Sequence, residues 1–157
     1  MTPTRSCLAA LAAMMLTAPM AWGAPRCSEP SVADSQAMAV AITRMRAQAG
    51  LAAVGADPAL TQAAARQACD MARRGRLSHE GGGGLSARTR AAGYPTALAA
   101  ENIAAGQADA SSALAAWASS QGHRANLLHR RVRHIGIGQA VGTNGQPYWA
   151  LVLAAPR

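Results

Sequence analysis

The sequence lacks phenylalanine and lysine and is poor in acidic residues and cysteine. None of its 157 residues is Phe, its 15 basic residues are all Arg, and only 7 residues are Asp or Glu. Half of the residues are nevertheless apolar, which excludes an intrinsically disordered chain and allows one packed domain. Because the small residue alanine dominates, Trp117, Trp149, Tyr94, Tyr148 and the Leu, Ile and Met residues must supply most of the buried area.

A long apolar run is absent beyond the N-terminus, which excludes a further membrane-spanning helix. The N-terminus itself has the features of a secretory signal peptide: Arg5, the apolar run Cys7–Met20, and small residues at Ala21 and Gly23. We predict cleavage after Gly23, export to the periplasm or the medium, and no transmembrane anchor in the mature chain. An uncleaved anchor is the alternative, but the apolar run is too short to span a bilayer comfortably.

Positive charge is in excess, with a net charge of +8 that falls to +7 when Arg5 is removed with the leader. The exclusive use of arginine has two explanations: coding bias in a GC-rich genome, or attraction to lipid headgroups and anionic envelope surfaces. Nucleic acid is not expected as a partner of an exported protein. The densest basic segment, Arg124–His134, is interpreted either as a patch for an anionic partner or as a solvated linker.

Cysteine is scarce, and only Cys27 and Cys69 remain after the predicted cleavage. An oxidising compartment favours a disulfide between them, which would tie the N-terminal segment to a helix. Two buried free thiols are the alternative.

The order of the predicted elements indicates an α+β fold. Residues 24–35 are predicted as a lead-in segment and residues 36–157 as the domain. Helical patterns precede strand patterns: helices are expected over residues 32–49, 58–74, 86–92 and 110–120, with one or two turns over 122–129. A strand or extended loop is expected over 101–106, and the Asn144-Gly145 pair between two apolar runs predicts a closing antiparallel hairpin.

Three polar residues stand out because such residues are rare in this chain. His79 precedes four glycines, which would let the backbone approach a ligand closely. Glu101 lies among alanines, an unusual setting for a surface acid, and His123 opens a helical turn shortly after Trp117. Each could equally be a hydrogen-bonded structural residue.

Five blocks in order resemble the CAP superfamily of cysteine-rich secretory, antigen 5 and pathogenesis-related proteins, in its bacterial SCP-like branch. They cover about residues 36–155, from the first helix to the closing hairpin: Arg46–Leu51, Asp57–Met71 with Leu77–His79, Glu101–Ile103, Trp117–Leu128, and Ile135–Gly138 with Tyr148–Trp149. The resemblance implies a three-layer α-β-α sandwich with a small antiparallel sheet. The chain departs from the bacterial pattern at Thr43, where an asparagine is usual.

The resemblance also implies a pocket at His79, Glu101 and His123, with Ser120 at the position of the second family acid. His79 and His123, with Glu101, could hold a divalent metal such as zinc, or the cluster could be a metal-free hydrogen-bonded network. We expect a ligand- or surface-binding module rather than an enzyme. The alternative is a protease-like hydrolase that uses Ser120, His123 and an orienting acid such as Glu101, although nothing marks an oxyanion hole.

Overall fold

The structure is a computed structural model that describes residues 23–157, so the predicted signal peptide before Gly23 lies outside the described residues. This part of the chain forms five helices and five strands. The helices are α1 (Val32–Gln48), α2 (Pro58–Arg74), α3 (Leu85–Ala91), α4 (Ala110–Ser119) and α5 (Gln121–Leu127), with a 3-10 turn at Gly81–Gly83. The strands are β1 (Arg26–Cys27), β2 (Gly55–Ala56), β3 (Thr96–Ala105), β4 (His134–Val141) and β5 (Pro147–Pro156).

Local sequence signals set the ends of α2. The Asp57 side chain accepts hydrogen bonds from the backbone N–H groups of Ala59 (2.8 Å) and Leu60 (3.0 Å), and Pro58 occupies the first helical position. Gly75 ends the helix with φ of 60°, a conformation that glycine adopts without penalty. The predicted boundaries of this helix are therefore confirmed.

The five strands form one sheet in the order β1-β4-β5-β3, with β2 beside β4. All neighbours are antiparallel except β2 and β4, which run parallel. The predicted hairpin is confirmed as β4–β5. Asn144 does not have the positive φ that a two-residue Asn-Gly turn requires. Gly142 pairs with Gln146, and Gly145 alone in the loop has positive φ, so three residues form the turn.

Helices cover both faces of the sheet, which confirms the α+β sandwich. On β5, Leu151 and Leu153 pack with α1 and α4, whereas Ala150 and Val152 pack with α2 on the opposite face. Strand β3 is longer than expected: it has ten residues, and nine of them pair with β5, instead of a short segment near Glu101. Helix α1 begins inside the predicted lead-in segment.

Two glycines bring α2 against the sheet. A Cβ atom at Gly136 would lie 2.1 Å from the Thr61 backbone nitrogen, and one at Gly138 would lie 2.3 Å from that of Ala65. The Ile-Gly-Ile-Gly run of β4 is therefore explained by helix packing: the isoleucines face α1, and the glycines admit the backbone of α2.

The site described below lies along β3, which is the edge strand of the sheet next to β5. The loop after α2 and helix α3 approach it from one face, and α5 approaches it from the other. Within residues 23–157, no helix is long and apolar enough to cross a membrane.

Candidate functional site

Glu101 is held inside the protein at the middle of β3. Its side chain is only 2% exposed and forms an ion pair with Arg88 of α3, whose side chain is 3% exposed. Arg88 Nη2 donates to Oε2 of the carboxylate, while Arg88 Nη1 donates to the backbone carbonyls of His79 and Gly81. One buried guanidinium thus joins the strand to the loop that carries His79.

His79 lies on the solvent side of this buried pair. Its Nδ1 is 2.8 Å from Oε1 of Glu101, whereas its side chain is 57% exposed. A carboxylate that accepts the Nδ1 proton orients the imidazole and leaves Nε2 available as an acceptor or a metal ligand. The contact therefore presents a fixed imidazole to solvent.

The glycine run after His79 has a different role from the one expected. The turn packs against α2, because Gln67 Nε2 donates to the Ser78 carbonyl and a Cβ at Gly81 would lie 2.4 Å from Gln67 Oε1 and 2.6 Å from Asp70 Oδ2. The close approach that Gly81 permits is thus to side chains of the protein.

His123 lies on α5, which packs against the other face of β3. Asn102 Nδ2 donates to the His123 backbone carbonyl over 3.1 Å, and Asn126 Nδ2 donates to Asn102 Oδ1 over 2.8 Å. Adjacent residues of a strand point to opposite faces, so Glu101 anchors His79 and Asn102 anchors α5.

Glu101 does not control the protonation of His123. A carboxylate beside an imidazole raises the imidazole's pKa, but the pKa of His123 is lowered, first by its burial and second by the charge of His79. The two oxygens of Glu101 are directed instead to His79 and Arg88.

Ser120 lies at the junction of α4 and α5, as the N-cap residue of α5. Within residues 23–157 its hydroxyl makes no hydrogen bond with His123, and Glu101 contacts the other histidine. The geometry of a Ser-His-acid triad is not assembled from Ser120, His123 and Glu101.

The candidate metal ligands form a small donor set. Both oxygens of Glu101 are already bonded, so His79 Nε2 and the His123 ring are the remaining donors. Among the described residues, no three His, Cys, Asp or Glu side chains are grouped so as to hold a metal ion. The described residues therefore offer two imidazole donors, fewer than the three or four protein ligands that are usual at zinc sites.

Sequence reasoning missed two buried arginines. Arg88 lies in the seven-residue helix α3, which is too short to show a periodic pattern of apolar residues. Arg46 lies four residues after Ile42 on the buried face of α1, a spacing that could have revealed it. Arg46 donates to the carbonyls of Ala52, Leu127 and His129 at 2.7, 2.9 and 3.0 Å, and its pKa is lowered, first by burial and then by the charge of Arg133.

The backbone of the basic segment, Arg124–His134, is held by hydrogen bonds from the buried Arg46, and its arginine side chains are exposed to solvent. Arg124, Arg130, Arg131 and Arg133 are exposed, whereas Val132 between them is fully buried. Within residues 23–157 none of these four arginines forms an ion pair, and no acidic residue follows Asp109 in the sequence.

Cys27 and Cys69 form a disulfide bond, as predicted. It connects β1 at the edge of the sheet to α2. Trp117 is also placed as expected: it is 1% exposed, and its Nε1 donates to the Ile103 carbonyl of β3 over 3.0 Å.

Known proteins share both the fold and the sequence pattern. An outer surface protein of Borrelia burgdorferi superposes with a TM-score of 0.71 at 17% identity, covering 81% of this chain and 96% of that one. An extracellular protein containing a SCP domain from Bacillus anthracis superposes with a TM-score of 0.68 at 25% identity, covering 82% of this chain and 45% of that one.

The sequence comparisons agree with the structural ones. The uncharacterized protein YkwD of Bacillus subtilis (strain 168) is 32% identical over 95 residues, which are 59% of this chain and 37% of the relative. The chain thus spans little more than a third of that relative. Residues 41–153 match the family described as CAP, the cysteine-rich secretory protein family. This chain belongs to the CAP family and carries the α-β-α fold of its bacterial SCP-domain members.

Proposed function

We propose that this CAP protein is an exported binding module whose cleft binds a ligand through His79 and His123. The contact that carries the proposal is the 2.8 Å hydrogen bond between His79 Nδ1 and the buried Glu101 carboxylate. The Arg88 pair holds that carboxylate, so the imidazole is oriented before a ligand arrives. The lowered pKa of His123 leaves its ring neutral and able to accept a bond at neutral pH.

The ligand class that fits two imidazole nitrogens best is a divalent metal such as zinc, with water or a second ligand in the remaining positions. Glu101 then acts as the residue that orients His79. Metal binding requires unprotonated imidazoles, so affinity falls in acid.

Export is supported by the disulfide, since such bonds persist in oxidising compartments. It is also supported by the predicted signal peptide and by the extracellular SCP-domain relative. Fractionation of the producing cells tests export: we expect the chain outside the cytoplasm, with its N-terminus at Ala24. Full-length chain in the cytoplasm would contradict the proposal.

Calorimetric titration with zinc tests the cleft. The wild-type protein should bind zinc, whereas His79→Ala and His123→Ala should reduce the affinity by at least about tenfold because half of the protein ligands are lost. Ser120→Glu should tighten binding by adding a carboxylate at the rim, and His129→Ala serves as a control outside the cleft. Equal affinities in all five proteins would show that the cleft is not a metal site.

The hydrolase alternative is separated by a different variant. Native mass spectrometry of protein from its producing cells should reveal a bound species that His79→Ala removes and Ser120→Ala retains. Turnover of a peptide or ester substrate that Ser120→Ala abolishes would overturn the binding proposal.

The exposed arginines support an anionic lipid surface as the partner of this module. The hydrogen bonds from Arg46 fix the backbone of the basic segment. Binding through the guanidinium groups of Arg130, Arg131 and Arg133 therefore loses little backbone conformational entropy. Vesicles containing phosphatidylglycerol should bind the protein in a salt-sensitive manner, and Arg130→Ser with Arg131→Ser should weaken binding. Arg44→Ser with Arg66→Ser is the matched control. Equal losses in both pairs would show that only net charge matters.

A further inference from the structure

A cavity of about 510 Å³ lies beside the disulfide bond, and neither His79 nor His123 lines it. Its walls come from four segments: β1 with the residues that follow it, helix α2, the glycine turn and helix α3. Both Cys27 and Cys69 line it. The disulfide is therefore part of the wall of a cavity whose size is usual for small-molecule sites.

The two cysteines of this disulfide differ in their exposure. Cys27, on β1, is exposed to solvent, whereas Cys69, on α2, is only 9% exposed. The rate at which a thiolate attacks a disulfide depends on which sulfur it can reach. A thiol that enters the cavity of the folded protein therefore reaches Cys27 more readily, and Cys69 becomes the leaving group.

Two arginines of α2 flank Cys69 in this cavity. Arg66 precedes Cys69 by three residues and Arg73 follows it by four, spacings that place all three on one face of the helix. Both arginines line the cavity and are exposed, and neither forms an ion pair within residues 23–157. Guanidinium groups near a cysteine lower the pKa of its thiol, and a thiol of lower pKa leaves faster. The two arginines therefore favour departure of Cys69 as a thiolate.

The other charged residues of the cavity leave a positive balance. Arg88 is paired with Glu101, and Asp70 is paired with Arg74 over 3.1 Å. Glu29 is the other acid that lines the cavity, and it also lines a neighbouring groove between α1 and α4, which places it at the boundary of the two. The two unpaired arginines of α2 outnumber this one acid, so the cavity attracts an anionic molecule.

We propose that this cavity is a modification site at which a small thiol bearing a carboxylate forms a mixed disulfide with Cys27. The carboxylate lies near Arg66 and Arg73, and the thiolate sulfur attacks Cys27 Sγ. The electron pair of the thiolate forms the new S–S bond, and the electron pair of the broken Cys27–Cys69 bond leaves with Cys69. The proton of the incoming thiol passes to solvent. The incoming thiol is oxidised to a disulfide and Cys69 is reduced, so no other oxidant or reductant takes part.

The exchange replaces the covalent attachment of the N-terminal segment by non-covalent contacts. Strand β1 pairs with β4 at Arg26 and Cys27, and Ser28 Oγ donates to Gln139 Oε1 over 2.8 Å at the surface. A strand pairing of two residues is weak by itself, so modification loosens this segment from the sheet. The reverse attack of the Cys69 thiolate on Cys27 Sγ releases the thiol and restores the attachment.

Two thiols of opposite charge test the proposal on the protein purified from its producing cells, without denaturant. 3-Mercaptopropionate carries a carboxylate and cysteamine carries an ammonium group, and the rate constant of each is expressed per thiolate. Arg66→Gln with Arg73→Gln should slow 3-mercaptopropionate by about tenfold and cysteamine by much less. Because the same reagent is compared on two proteins, differences in the reagents' own reactivity cancel. High salt should remove most of the difference.

A matched pair of variants controls for net charge. Arg44→Gln with Arg130→Gln removes two exposed arginines that do not line the cavity, and it should leave both rates close to those of the wild type. Thermal unfolding midpoints show whether each variant is folded. Equal slowing of the two thiols by Arg66→Gln with Arg73→Gln, or equal slowing of 3-mercaptopropionate by the two pairs of variants, would overturn selection of an anionic thiol by the cavity.

The position of the adduct tests which sulfur is attacked. Reactions are stopped early with iodoacetamide, which caps the released thiol, and the peptides are mapped by mass spectrometry without reductant. We expect 3-mercaptopropionate on Cys27 and the cap on Cys69. An adduct found mainly on Cys69 would overturn the proposed direction of attack.

A destabilised variant separates exchange in the folded protein from exchange through unfolding. Trp117 does not line the cavity, so Trp117→Phe lowers stability without changing the surroundings of the disulfide. Its rate with 3-mercaptopropionate should equal that of the wild type, because Cys27 is already exposed in the folded protein. A rate that rises in proportion to the lost stability would show that the bond is reached only after unfolding, and the cavity would then have no part in the exchange.

Discussion

Arg88 and Glu101 form an ion pair in which both side chains are almost completely buried, at 3% and 2% exposure. Removing charged groups from water is costly, and the pair offsets this cost only while both partners are present. Arg88 also holds the backbone of the loop that carries His79, so the pair links the stability of the fold to the position of His79.

The first prediction concerns this pair. Arg88→Met should destabilise the fold by about 3–5 kcal/mol, because it leaves the Glu101 carboxylate buried and unpaired. The double variant Arg88→Met with Glu101→Gln should recover part of that loss. Urea unfolding measures both, and Arg90→Met, an exposed change on the same helix, should stay within about 0.5 kcal/mol of the wild type. Additive losses in the double variant would show that the two side chains act independently.

The second prediction concerns pH. The pKa of folded His123 is lowered, mainly by burial, below the usual value of about 6.5 expected in the unfolded chain. Between these two values the unfolded chain binds more protons, so the free energy of unfolding decreases as the pH falls through about 6.5. His123→Gln should remove this part of the pH dependence, measured by urea unfolding at a series of pH values. A His123 resonance that titrates above 6.5 by NMR would contradict the prediction.

The third prediction concerns the disulfide. Peptide mapping without reductant should recover Cys27 and Cys69 in one cross-linked fragment. Cys27→Ser with Cys69→Ser should cost about 4 kcal/mol in the chain-entropy model, because the bond closes a loop over a sequence separation of 42. Reductant should lower the unfolding midpoint of the wild type but leave that of the double variant unchanged. A wild type that is insensitive to reductant after complete thiol labelling would refute a stabilising role.

The fourth prediction concerns Trp117, which is fully buried and bonded to the Ile103 carbonyl. Trp117→Ala should cost about 3–5 kcal/mol, since the alanine-rich surroundings contain few side chains able to fill the gap. Trp117→Phe should lose less because it keeps most of the apolar volume. Leu77→Ala, at 48% exposed, is the control and should have little effect in the same thermal unfolding measurement. A shift of only a degree or two for Trp117→Ala would mean that the residue is peripheral to stability.

Several features of the candidate site required the tertiary structure. His79, Glu101 and His123 were singled out because of their rarity, their neighbours and the family resemblance. Arg88 was not, because a short helix carries too few residues for a buried face to be evident. On β3, Glu101 contacts His79 and the next residue, Asn102, contacts α5. Which of the two contacts a residue makes depends on the face of the strand that its side chain occupies.

The sequence by itself determined the features that depend on neighbouring residues, such as helix ends and turns. Asp57, Pro58 and Gly75 specify the ends of α2, the Asn144-Gly145 pair specifies a hairpin, and two cysteines beyond the predicted leader allow one disulfide. Only the tertiary structure decided where charge accumulates. The partner of Glu101, the lowered pKa of His123, and the placement of Cys27 with Arg66 and Arg73 in one cavity arise between segments distant in sequence. Burial and electrostatic interaction depend on distance in space, which spacing along the chain does not encode.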